Sequence, residues 1–231
     1  MDIIGRVLAS AYFDDKEFRN AIKPVNEYLQ RVSDEIQKQI KKFDSEADYM
    51  PHMLLSMTIA SSFNTYVISS FHAAKAFEFF HNEAVKKVRD EDGPHMLSSL
   101  MALQHAHGLE AVFNLAYTRG ILTNKRFVEL TKVDGKKIEE VFDKLFPNLR
   151  DVRNALAHQD ERVLGIVGLG KGAITKDSAI MLHAQRSSQF ENLVRKRVID
   201  DGQAEEFEQF NFSFASDLYF KLADLLVGIF K

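Results

Sequence analysis

The chain has 231 residues, 45 % of them hydrophobic and 27 % charged, with a formal net charge of −3. This is the balance of a water-exposed globular protein with a substantial core, and it excludes a global basic signature for nucleic acid, so any RNA contact must be a local patch. Cysteine is absent, which excludes disulfides, thiol catalysis and Cys-ligated zinc and fits a reducing cytoplasm. The first residues, Met1-Asp2-Ile3-Ile4-Gly5-Arg6, lack a basic segment followed by a long apolar run, so no signal peptide is expected.

Residues 1–13 read as a short apolar lead-in, after which Asp14 and Asp15 are placed to cap a helix. From Lys16 to Phe43, Phe18, Ile22, Val25, Leu29, Val32, Ile36 and Ile40 recur at three- and four-residue steps, the period of an amphipathic helix. Pro24 is expected to divide it into a short and a longer helix. Pro51 is expected to start a new unit, followed by a long helix over 52–90 with Ala60, Phe63, Val67, Phe71, Ala74 and Phe77 as its stripe. The stretch from Leu54 to Phe80 approaches a membrane span in length, but Asn64, His72, Lys75 and Glu78 interrupt it. Ionisable groups are costly in a bilayer, so a central bundle helix is the better reading and no membrane association is expected.

Asp92-Gly93-Pro94 is a turn, residues 95–119 are a further helix, and Gly120 is expected to stop it. Thr123 to Val133 reads as a connector with at most one helical turn, and Lys136 to Phe146 as a short amphipathic helix. Pro147-Asn148 is expected to form the first turn of the next helix, which carries Leu149 to Arg162. After Val163 the periodicity breaks. Gly165, Gly168, Gly170 and Gly172 make a loop; Ser178–Gln185, Asn192–Ile199 and Glu206–Phe214 read as strands; Asp200-Asp201-Gly202 is a hairpin signal. A last amphipathic helix runs from Ala215 to Phe230. The expected architecture is mainly α in one domain over 1–231. It comprises a helical bundle over 1–164, a glycine-rich loop and small antiparallel β appendage over 165–212, and a C-terminal helix over 213–231 that returns to the bundle.

The segment 149–162 concentrates arginine, amide, histidine and acid. On a helix, Arg150, Asn154 and His158 fall at i, i+4 and i+8 and share a face, whereas Arg153 stands five residues before His158, roughly 140° around the axis. The run Arg153-Asn154-Ala155-Leu156-Ala157-His158 resembles the R-x4-6-H signature of HEPN domains, including the polar residue that commonly follows the arginine. The resemblance covers six residues of motif and places the domain over the first 165 or so. It implies an α-helical bundle, commonly dimeric, and in many members a metal-independent RNase of toxin–antitoxin, antiviral or RNA-processing systems. RNA supplies its own nucleophile, the 2′-hydroxyl, so cleavage requires only proton transfer and positive charge on the phosphorane. On this resemblance His158 is the general base or acid, Arg153 the phosphate ligand and Asn154 the residue that orients either. Arg150, from the helical-face argument, and Arg162 are added as phosphate- or RNA-binding residues. The sites of two subunits commonly combine in HEPN RNases, which would relax the angle between Arg153 and His158. No cofactor and no metal are implied. Non-catalytic members also exist, so the alternative is an interaction protein that dimerises through this helix, with an antitoxin or a nucleotidyltransferase as partner.

Other patterns carry less. Arg89 to His95 also spells R-x5-H, but Gly93-Pro94 forbids a continuous helix there. Gly165 to Lys171 spells GxxxxGK, yet Gly172 stands where a P-loop needs Ser or Thr, and no helix follows convincingly; a mobile loop beside His158 is the expectation. His105 and His107 point about 200° apart on a helix and cannot share an ion. His107 and Glu110 share a face but lack a third ligand, so a helical metal enzyme using His107 or His72 with acids is a further alternative. Arg195-Lys196-Arg197 is the densest basic cluster, read either as a positive edge for RNA or as a charged edge strand that resists aggregation.

Overall fold

A computed structural model describes residues 16–40, 46–88, 94–157, 181–186, 189–199 and 203–230. The described chain is mainly helical: α1 (Lys16–Ile40), α2 (Glu46–Lys87), α3 (Pro94–Leu122), α4 (Lys125–Thr131), α5 (Gly135–Leu145), α6 (Leu149–Ala157) and α7 (Ser216–Phe230). Before α7 come three strands, β1 (Met181–Arg186), β2 (Gln189–Ile199) and β3 (Gln203–Ser213), in an antiparallel sheet ordered β1-β2-β3.

The long helices α2 and α3 form an antiparallel hairpin, as the cross-contacts from residue 70 to 111 and from 81 to 104 require. The other helices are laid against it by apolar stripes at helical spacing. Helix α1 contributes Phe18, Ile22 and Val25; α5 contributes Ile138, Phe142 and Leu145; α6 contributes Leu149, Val152 and Leu156; α7 contributes Tyr219, Leu222, Leu226 and Phe230; all are buried. Phenylalanine fills the centre. Phe18 stacks on Phe71 with centroids 4.1 Å apart, and Phe220 meets both rings edge-on. The end of β3 is pinned to the bundle because Phe212 stacks on Phe146 and Phe214 meets Phe77 edge-on.

One buried polar knot joins α2, α3 and α7. Ser70 Oγ donates to the Ala111 carbonyl at 2.7 Å and lies 2.5 Å from the Tyr219 hydroxyl. Serine has one proton to give, so Tyr219 must donate to Ser70. Burial pushes the Tyr219 phenol well above its ordinary range, so it stays protonated as that donor. Nearby, burial raises the Glu78 carboxyl, while the Ser216 backbone N–H and Lys75 oppose the rise and Asp217 adds to it. Glu78 thereby caps the first residue of α7 from another helix.

Several boundaries differ from the sequence reading. Pro24 lies inside α1 and does not divide it. The carbonyl that loses its partner belongs to Asn20, and both residues are exposed, so water can satisfy it. Pro51 lies inside α2, which begins at Glu46; it is exposed and stands in the second turn, so it costs one hydrogen bond near the helix end, where water can reach the freed carbonyl. Gly120 does not end α3, which continues to Leu122. The expected connector at 123–133 holds a two-turn helix, α4, capped by Asn124, whose Oδ1 accepts from the Arg126 N–H at 2.9 Å. Pro147-Asn148 forms the turn before α6 rather than its first turn: Asn148 has φ 65° and its carbonyl receives the Val152 N–H at 2.9 Å. Arg195-Lys196-Arg197 is on β2, the central strand, so it is not an edge, and the register sets it opposite Glu208, Glu206 and Glu205. Equal and opposite charge across the ladder removes the argument for a basic RNA surface there. The hairpin turn at 200–202 lies outside the described residues, although Ile199 pairs with Gln203 on either side of it. Residues 1–15 and the glycine loop at 165–172 also lie outside them. Among the described residues no helix is long and apolar enough to cross a membrane.

Candidate functional site

Helix α6 is short, and its placement comes from one face. Leu149, Val152 and Leu156 are buried against the bundle. Arg150, Arg153 and Asn154 then project into a cavity of about 730 Å³, within the roughly 300–1,000 Å³ usual for small-ligand sites. The rest of its lining comes from α2 (Ser62, Tyr66), the C-terminal end of α3 (Tyr117, Arg119) and Asn124 at the start of α4, among others.

Three arginines therefore meet one cavity, but they are not equivalent. Arg119 lies 3.4 Å from Asp143 and 3.6 Å from Glu139 on α5, so its charge is balanced within the protein. Arg150 and Arg153 have no acidic partner within ion-pair distance among the described residues. Arg153 is half-buried, and its Nη1 donates to Asn154 Oδ1 at 2.9 Å, which fixes the guanidinium at the cavity wall and leaves the Asn154 NH₂ as a further donor. Two planar guanidiniums with unspent donors, beside an amide, suit an anion with several oxygens, above all a phosphate.

The sequence reading set Arg153 off the face of Arg150 and Asn154. The structure corrects this: residues at i, i+3 and i+4 are neighbours on a helix, and all three line the same cavity. His158 and Arg162 lie outside the described residues, one and five positions beyond the last described residue of α6. Tyr66, Tyr117, Arg119 and Asn124 were missed from the sequence. A usable signal existed, because the chain has 19 phenylalanines and only 6 tyrosines and phenylalanine dominates the largest buried side chains, so a tyrosine on a core-forming helix marks a place where a polar tip is wanted.

The histidines of α2 and α3 have structural surroundings. His107 stacks on Phe80 with centroids 5.5 Å apart and pairs with Glu110 at 3.2 Å. Burial lowers the His81 pKa, and its Nδ1 accepts from the Gln104 amide at 3.1 Å, which leaves the ring proton on Nε2. Among the described residues no group of three or more histidines and carboxylates is placed to hold a metal ion.

Compared with protein-family models, with curated proteins and with solved structures, the chain matches none.

Proposed function

We propose that the protein is a HEPN-like, metal-independent endoribonuclease that acts as a homodimer in the cytoplasm, in RNA processing or in a toxin or antiviral defence system. The observation that carries this reading is the convergence of Arg150, Arg153 and Asn154 on one open cavity, with neither arginine neutralised by an acid among the described residues. A guanidinium committed to stability is paired, as Arg119 is; one held in place but left uncompensated is available to a ligand. The motif Arg153-Asn154-Ala155-Leu156-Ala157-His158 supplies the proton-transfer group that the described cavity lacks.

The reaction follows from RNA chemistry. His158 takes the proton of a 2′-hydroxyl, the 2′-oxygen attacks the adjacent phosphorus, and the P–O5′ bond breaks. The proton passes to the departing 5′-oxygen, leaving a 2′,3′-cyclic phosphate and a 5′-hydroxyl. Arg153 and Arg150 stabilise the charge that accumulates on the non-bridging oxygens, and Asn154 holds Arg153 in line. A second copy of the chain brings a further Arg153 within reach of His158, which relaxes the angle between them on a single helix.

The test is cleavage of single-stranded RNA in EDTA by wild type and by His158→Ala, with dimerisation followed by light scattering. Loss of a general acid–base group is expected to slow cleavage by at least about 100-fold while the dimer and helicity persist. Intact RNA after treatment with pure wild-type protein, across single-stranded and structured substrates, overturns the enzymatic reading and leaves a dimerising interaction protein in its place.

A further inference from the structure

The part of the cavity contributed by α2 and α3 has its own chemistry. Tyr117 is 47 % exposed, and among the described side chains it is the only exposed aromatic ring. Its ring neighbours are tilted rather than stacked: Tyr66 stands 5.4 Å away at 43°, and Phe113 6.5 Å away at 32°. They hold the ring in place without stacking on it, and nearly half of the residue's surface stays accessible. The cavity is also lined by the apolar side chains of Ile121, Phe127 and Leu149. A site for a bare anion has no use for an aromatic face and an apolar floor; a nucleobase attached to a phosphate uses both. Asn124 adds an edge-reading group. Its Oδ1 accepts from the Arg126 N–H, which orients the amide, and its NH₂ is a donor for an acceptor on a base edge.

Resting on the ribonuclease reading above, we infer that Tyr117 is the stacking platform for an unpaired base next to the cleaved phosphate. Tyr66 and Phe113 position its ring, and Asn124 donates to the base edge. The substrate is then single-stranded at that nucleotide, because a base within a duplex has both faces covered by its neighbours and cannot reach the ring. Arg150 and Arg153 on α6 hold the backbone while Tyr117 on α3 takes the base, so the cavity grips one nucleotide by both its phosphate and its base.

A single-stranded oligodeoxynucleotide carrying one 2-aminopurine tests this, since it lacks the 2′-hydroxyl and cannot be cleaved. Its fluorescence and anisotropy are titrated with wild type, Tyr117→Ala and Tyr117→Phe, and each protein is assayed in parallel for cleavage of the matching RNA. Stacking predicts quenching by wild type and Tyr117→Phe. For Tyr117→Ala it predicts no quenching and roughly tenfold weaker binding, the loss of one base–aromatic contact. The ring is half-exposed, so the alanine variant is expected to fold, which its melting curve checks. Cleavage by wild type with unchanged quenching and affinity in Tyr117→Ala overturns the stacking site and leaves the ribonuclease standing. Equal loss in Tyr117→Phe assigns the contribution to the hydroxyl and overturns it as well. Neither binding nor cleavage by wild type overturns the ribonuclease reading and this inference with it.

Discussion

Tyr219 packs against the α2–α3 hairpin from α7 and Tyr117 is part of it on α3, yet they belong to regions with opposite organisation. Tyr219 is completely buried, and its hydroxyl is spent on Ser70, which in turn is spent on the Ala111 carbonyl. Around it lie Phe71 and Phe146, and no donor is left over for anything outside the protein. Tyr117 is nearly half exposed, and the cavity it lines carries two arginines uncompensated among the described residues. The first region shows what a satisfied polar contact looks like in this fold, and the second is recognisable as a site because its polar groups are held but unspent. Stability and function are thus separable, and substitutions in one region should leave the other intact.

The largest effect is expected at Phe71, which touches Phe18, Phe220 and Tyr219 at once. Phe71→Ala should lower the unfolding free energy by about 3–5 kcal/mol, read by urea denaturation, and any effect on RNA binding should track the folded fraction. Next comes Ser70→Ala, which strands the Tyr219 hydroxyl in the core; a loss of about 1–3 kcal/mol is expected. The double variant Ser70→Ala/Tyr219→Phe should recover part of that loss, since it removes the stranded donor. A double variant less stable than the sum of the singles contradicts the knot. On the other side of the comparison, Arg150→Ala should leave the melting temperature unchanged but reduce the salt dependence of oligonucleotide binding by about one phosphate contact. An unaltered salt slope removes Arg150 from the site.

The smallest effect concerns Glu78. Its folded pKa is raised above the ordinary 4.5, burial being the main cause. The native state therefore keeps its proton to higher pH than the unfolded chain does. The stability that this protonation contributes is full below about 4.5 and is lost as pH rises through the raised value. Glu78→Gln should flatten that dependence while keeping an acceptor for the Ser216 N–H. The difference in melting temperature between wild type and Glu78→Gln, followed from about pH 4 to about pH 8, should therefore shift in favour of the glutamine variant as pH rises. A shift in the opposite direction contradicts the buried setting of Glu78. His81 works the other way: its pKa is lowered from 6.5 by burial, so its neutral form is retained and stability falls as pH drops below about 6.5.

Much of the fold was legible because it rests on periodicity. The stripes Phe18, Ile22, Val25 on α1 and Leu222, Leu226 on α7 are buried as their spacing requires. Proline and glycine were less informative. Pro24 and Gly120 sit on exposed helix surface, where a missing amide proton or side chain is tolerated by solvent. The strands before α7 and the β2–β3 hairpin were readable from alternation and the turn signal, but the pairing of β1 on the other side of β2 was not, and that pairing is what moved Arg195-Lys196-Arg197 from a supposed edge to the central strand. The charged part of the candidate cavity contributed by α6 was visible as a local motif. The aromatic part comes from Tyr66 and Tyr117, 51 positions apart in sequence (117 − 66) and brought together only by the α2–α3 hairpin. No local pattern encodes that meeting.

The central claim is that the arginine cavity beside α6 cleaves RNA, and Arg153 is its most constrained member. The most direct measurement is the single-turnover rate of single-stranded RNA cleavage in EDTA for wild type and Arg153→Ala, with melting temperatures recorded on the same samples. The account predicts 2′,3′-cyclic phosphate ends from wild type and a rate lower by at least about 100-fold in the variant, at an unchanged melting temperature. Equal rates for the two proteins, or no cleavage by wild type, would contradict it.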